Sequence, residues 1–340
     1  MKIRRTLKPF FARRLPRRAL MLGVAGVLGL GLSLGSQNSY AQPYPSKPVK
    51  LIIPFNAGGA LDIVGRLLAG ELSKQLSQSV IVENKAGAGG NIAASFVAKS
   101  EADGYTLLMG STGNSVNKAL YGNLNYDPDT DLTPVAIVGQ MPNVLLAHKS
   151  VAANTVSELI ALSKTNPASL NFASGGSGTS EHLAAALFNL KAGTAISHIP
   201  YKGGAPAATD LMGGQVQLMF TNQITAISAL QSGNVKVLGT ASTSRNKTLP
   251  DVPTFAEQGM NDFLVAVWWG VFGPRNLPPE LVNRLNQAIN TSVKTPEVTA
   301  KLESMGATPL SLSAPEFKVF FTKESARWSE VVASAKIKVE

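Results

Sequence analysis

From Tyr44 to the C-terminus, short apolar runs alternate with longer segments whose apolar residues recur every three or four positions. Strands followed by crossover helices produce this alternation, and it predicts an α/β fold of mostly parallel sheets. Residues 49–55 (VKLIIPF) read as a buried strand, and 62–76 as a helix with Ile63, Val64, Leu67, Leu68, Leu72 and Leu76 on one side. Strands at 80–82 and 106–109 flank a helix at 91–99. Two apolar runs follow, 135–138 and 144–147, with Pro142 between them.

A second strand and helix series then begins. It has helices at 156–163, 181–190, 206–212 and 224–230, and strands at 170–173, 196–199, 216–220 and 235–240. After a proline-rich bridge (249–253), residues 265–272 are strand-like, and helices at 279–292, 296–305 and 315–332 close the chain. The two series predict two similar α/β lobes, with the last helices packing back on the first. Trp268 and Trp269 sit inside an apolar run, which favours core packing over lining a cleft.

The N-terminal pattern is different. Of 31 basic residues, eight precede residue 19, no acidic residue precedes Asp62, and residues 19–34 contain nothing more polar than Ser33. A basic segment, an apolar run and the small residues Ser39 and Ala41 read as a secretory signal peptide, cleaved after Ala41. The run is short for a membrane anchor, which wants about 20 residues. Arg4-Arg5 leaves the choice between the general and twin-arginine export routes open. Removing the tag turns a net charge of +10 into 23 basic against 21 acidic groups, so nothing in the mature balance asks for nucleic acid. The absence of cysteine excludes a disulfide scaffold, thiol catalysis and thiolate metal sites. Export, no cysteine and no later apolar run of membrane-spanning length point to a periplasmic protein, expected to be a monomer.

Ligands of open parallel sheets bind beyond the carboxyl ends of the strands, so the strand-to-helix junctions hold the candidate chemistry. The first junction contains Phe55, Asn56, Ala57, Gly58, Gly59 and Asp62. Glycines that turn backbone N–H groups outward beside a helix N-terminus make an anion site; a tight turn capped by Asp62 is the purely structural alternative. The second junction contains Ser174, Gly176, Ser177, Gly178, Thr179 and His182, where some hydroxyls must cap the helix. Tyr201 in YKGG and Asn222 past a later strand add polar groups to the same side. Hydrogen bonds to a charged group contribute roughly 1.5–3 kcal/mol each, and micromolar affinity needs about 8 kcal/mol. A dicarboxylate held at both ends by N–H groups and hydroxyls therefore requires no arginine.

Enzymatic motifs fail in detail. The GAGGNI segment at 87–92 lacks the third glycine of a dinucleotide fingerprint and reads as a turn. Ser177 in GGSGT lacks the last glycine of a nucleophile elbow. His148, His182 and His198 show no metal-ligand spacing. The expectation is no enzyme, no cofactor and no metal. A serine hydrolase using Ser177 and His182 is the less favoured alternative, for want of an acidic partner.

Over the whole mature chain the motifs PFNAGGALD (54–62), VENKAGAGGNIAA (82–94), DGYTLL (103–108), NFASGGSGTSEHLA (171–184), HIPYKGGAPAATDLMGGQVQLMF (198–220) and LPDVPTFAEQG (249–259) resemble the periplasmic solute-binding proteins of tripartite tricarboxylate transporters, also called Bug proteins. The resemblance implies the two-lobed type II periplasmic-binding architecture: lobe 1 from 42–142 and 262–340, lobe 2 from 143–261, and a ligand cleft between them. It implies a small organic acid (a carboxylate, dicarboxylate, amino acid or aromatic acid) enclosed by hinge closure and delivered to a membrane permease, or presented to a sensor receptor. It also implies contacts from 55–59, from Ser111 and Thr112, and from 174–179. Ala57 and Ala60 depart from the family's usual proline and small hydroxyl, and Asp62 is left as either a helix cap or a contact for a ligand ammonium.

Overall fold

A computed structural model describes residues 44–337; the predicted signal peptide and its cleavage site lie outside the described residues. Residues 45 onward form one compact unit. In chain order the elements are β1 (Val49–Ile53), α1 (Ala60–Leu76), β2 (Val80–Asn84), α2 (Asn91–Ala98), β3 (Thr106–Ser111), α3 (Thr112–Leu120), β4 (Leu132–His148), α4 (Val156–Thr165), β5 (Asn171–Ser174), α5 (Ser180–Ala192), β6 (Ser197–Pro200), α6 (Gly204–Met212), β7 (Leu218–Asn222), α7 (Gln223–Leu230), β8 (Val235–Thr240), β9 (Ala266–Pro274), α8 (Pro279–Lys294), α9 (Pro296–Ser304), β10 (Thr308–Pro309) and α10 (Ala314–Ser334).

The strands follow the order β2-β1-β3-β9-β4-β7-β5-β6, with β8 and β10 also on β4. β1 pairs in parallel with β2 and β3, as β5 does with β6 and β7. Each half thus has three parallel strands with helical crossovers, joined through antiparallel β9 and β4. This is the two-lobed α/β architecture expected from the alternation of runs.

The two runs around Pro142 form one 17-residue strand, not two. Pro142 is tolerated because it stands where β4 changes partner: it is the last residue opposite β9, and Asn143 is the first opposite β7. A missing N–H costs little at such a border. The second crossing is tied down at the same place. Asn143 N donates to Val265 O, Ala241 N to Asn143 O and Val265 N to Ala241 O, at 2.9, 2.8 and 3.1 Å.

Burial follows the predicted apolar positions. Phe172, Phe188, Phe220, Phe255 and Phe263 form one aromatic core, and Trp268, Phe272, Phe317 and Phe321 another. Trp268 and Trp269 are both buried, as core packing requires. A Cβ on Gly110 would sit 2.6 Å from the Phe272 ring, so only glycine lets β3 lie this close to that ring. Helix starts are set by local chemistry: Thr155 Oγ1 accepts from Glu158 N, and Ser313 and Glu316 form a capping box at the start of α10. No helix among the described residues is long and apolar enough to cross a membrane.

Candidate functional site

The first glycine-rich turn joins β1 to α1. Asn56, Ala57, Gly58 and Gly59 are exposed and Phe55 is half-buried. Asp62 is buried beneath the turn rather than turned toward the cleft. Its Oδ2 accepts from Gly58 N and Arg66 Nε, both at 2.9 Å, and its Oδ1 accepts from Asn84 Nδ2 at 2.9 Å. Burial opposes ionisation of this carboxyl, but the hydrogen bonds from Arg66, Gly58 and Asn84 outweigh it and hold Asp62 below the usual carboxylate range. Asp62 is therefore the brace of the turn, and the Gly58 N–H is spent on it instead of being free for a ligand. Gly59 is the N-cap of α1 with no side-chain cap, so the first-turn N–H groups lack an intrahelical partner and the positive end of the helix is presented outward.

The second turn joins β5 to α5 and is more heavily braced. Ser174 is fully buried; its Oγ lies 2.6 Å from His198 Nε2 and accepts from Gly176 N at 3.1 Å. Gly178 N donates to His182 Nδ1 at 3.2 Å, and Thr179 N donates to Gly176 O. Thr179 Oγ1 caps α5 by accepting from His182 N. Ser174 and the N–H groups of Gly178 and Thr179, expected to hold ligand, are thus consumed in building the loop. Ser177 is half-buried, and its hydroxyl has no partner among the described hydrogen bonds. His182 and His198 stack with ring centroids 4.0 Å apart. Burial holds His182 down to about 4, and burial with its neighbour holds His198 down to about 3, so both are neutral. No described hydrogen bond joins His182 to Ser177; His182 Nδ1 instead accepts from Gly178 N.

Other expected residues are placed less directly. Ser111 is the N-cap of α3, its N–H donating to Asn114 Oδ1 at 2.9 Å. Thr112 is buried and accepts from Trp268 N at 3.3 Å, tying α3 to β9. Tyr201 Oη donates to Asp210 Oδ2 at 2.6 Å, and Asn222 Oδ1 caps α7 through Thr225 N. These four side chains have structural work, and none is brought to Ser177 by a described contact.

What stands between the two turns is the 87–90 segment. Its backbone has positive φ at Gly87, Ala88, Gly89 and Gly90. A Cβ on Gly90 would lie 3.1 Å from Pro54 Cβ and 4.0 Å from Phe55, and one on Gly89 would lie 3.4 Å from Ser177 O. α3 closes the other side, since a Cβ on Gly113 would meet Gly89 O and Gly178 O at 3.6 and 3.7 Å. The structure thus brings together Phe55, Gly89, Gly90, Gly113, Ser177 and Gly178. Asn117 on α3 donates to Gly89 O at 3.2 Å and to Asn91 Oδ1 at 2.9 Å, while buried Asn117 Oδ1 and Asn91 Nδ2 have no protein partner. Asn91, Asn117 and Tyr121, whose hydroxyl lies 2.6 Å from a Cβ on Gly89, were missed by the sequence reading; 82–94 carried a family motif, but α3 carried no signal. Two further cavities lie elsewhere: about 570 Å³ behind the crossing strands beside Trp268 and Arg245, and about 1050 Å³ between β4, α8 and α10. Neither contains an expected site residue.

The model of the tripartite tricarboxylate transporter family receptor matches residues 64–337. Protein BugT of Bordetella pertussis is 36% identical over 322 residues, covering 94% of this chain and 98% of its own. The R. palustris protein Rpa4515, solved with adipate, superposes with a TM-score of 0.82 at 36% identity, over 87% of this chain and 99% of that one. MatC from Rhodopseudomonas palustris, solved with bound malate, gives 0.78 at 34% identity, over 85% and 100%.

Proposed function

Because the chain belongs to the tripartite tricarboxylate transporter receptor family, we propose that it is exported to the periplasm, captures a small dicarboxylate between its lobes and delivers it to a membrane permease. The observation that carries the reading is the meeting of Phe55, the 87–90 segment, the α3 N-terminus and Ser177 at the strand ends, in a fold whose relatives were solved with adipate and malate. One carboxylate is held by the N–H groups at the start of α1, the other by the Ser177 hydroxyl; Phe55 forms an apolar wall. The lobes divide at Pro142/Asn143 and in the 241–265 bridge, and closure is a rotation about that clasp. The protein is a receptor and not an enzyme.

A thermal-shift panel of mono-, di- and tricarboxylates, amino acids and aromatic acids tests this. A ligand at a hundred times its dissociation constant adds about 2.7 kcal/mol of stability. Dicarboxylates are expected to raise the midpoint; a panel in which no acid shifts it overturns the reading.

A further inference from the structure

Glu181 is the second residue of α5, buried directly behind the 174–179 turn. Its Oε2 accepts from Gly175 N, and its Oε1 from Thr221 Oγ1 on β7 at 3.2 Å. A Cβ on Gly175 would lie 2.9 Å from both Glu181 Oε2 and Gly204 N, so the carboxyl is wedged among β5, β7 and the start of α6. Among the described residues no cation forms an ion pair with it. Its own helix supplies His182, and the His198 ring of β6 stacks on that side chain. On the β6–α6 turn Lys202 is exposed, and the Tyr201 phenol is turned to Asp210. β7 contributes only the hydroxyl of Thr221.

A buried carboxyl without a counter-charge, behind a loop that receives an anion, is a contradiction unless the carboxyl is neutral when the anion is present. Resting on the dicarboxylate reading above, we propose that Glu181 couples ligand capture at the second turn to a proton: the cleft closes on a dicarboxylate with Glu181 protonated, so each ligand bound takes up one proton from solvent. The hydroxyl of Thr221 fits both states, donating to the carboxylate and accepting from the acid. Burial, outweighing the hydrogen bonds from Gly175 and Thr221 that favour the carboxylate, pushes Glu181 up to about 7, so the exchange falls within the ordinary pH range. The two histidines, held neutral, do not titrate there.

Calorimetry of adipate and malate binding to the mature protein, at pH 5.5 to 8.5 in buffers of different ionisation enthalpy, counts the protons directly. At pH 8 uptake is expected to approach one proton per ligand, with affinity falling about tenfold per pH unit above 7. Glu181→Gln is expected to bind with no net uptake and no slope. The wild-type proton count needs no variant and stands even where Glu181→Gln does not fold. Binding without uptake overturns this inference alone, as does uptake that persists in Glu181→Gln, which assigns the proton to His182 or His198. No binding of either acid at any pH overturns the receptor reading and this inference with it.

Discussion

Ser177 and Ser174 stand three residues apart in one turn and have opposite fates. Ser174 Oγ is locked between His198 and Gly176 N, whereas the Ser177 hydroxyl is half-buried at the edge of the 87–90 segment. Ser177→Ala is therefore expected to weaken dicarboxylate binding about tenfold, the value of one hydrogen bond to a charged group, with no change in the unfolding midpoint; Ser174→Ala is expected to lower the midpoint. Calorimetric titration and thermal unfolding of the two variants separate these outcomes, and an unchanged affinity in Ser177→Ala removes that hydroxyl from the site. The residue types and their clustering were legible in the sequence. Which groups the turn spends on itself was not, because that depends on His198, Asn84 and Thr221, distant in sequence and brought in only by the sheet register.

At the level of elements, the periodic segments were readable wherever one face is apolar, as in α1 and α8. α3 was missed because its buried positions include Thr112, Asn114, Ser115 and Asn117: its inner face is polar, so hydrophobic periodicity cannot reveal it. Pro142 broke β4 in the sequence reading because a border between two pairing partners has no signature in a single strand. α3 also sets how closely the second turn approaches the first lobe. Gly178 has φ +82°, and a Cβ there would lie 3.0 Å from both Asn117 Oδ1 and Leu120 Cδ1. Gly178→Ala is expected to cost about 1–2 kcal/mol of stability from the left-handed backbone alone, and to weaken ligand binding as well by holding the turn off α3. Denaturant unfolding and ligand titration check it; wild-type behaviour in both would show that this approach is not needed.

Over the whole molecule, the architecture followed from the two strand and helix series, while the passage of one strand, β4, from β9 to β7 emerged only from the pairing. Two histidines also set a whole-molecule property. His182 and His198 are neutral in the folded state, with folded values below the ordinary 6.5. The unfolded chain therefore binds more protons as pH falls below 6.5, and stability is lost from there downward. His198→Asn is expected to flatten the decline in unfolding free energy between pH 6.5 and 4; an unchanged slope would show that these rings do not carry it. The most direct test of the central claim is a crystal structure of the mature protein grown with adipate or malate. One carboxylate is expected at the N-terminus of α1 and the other against Ser177, with Phe55 along the ligand; a dicarboxylate seated instead in the crevice beside Trp268 and Arg245 would contradict it.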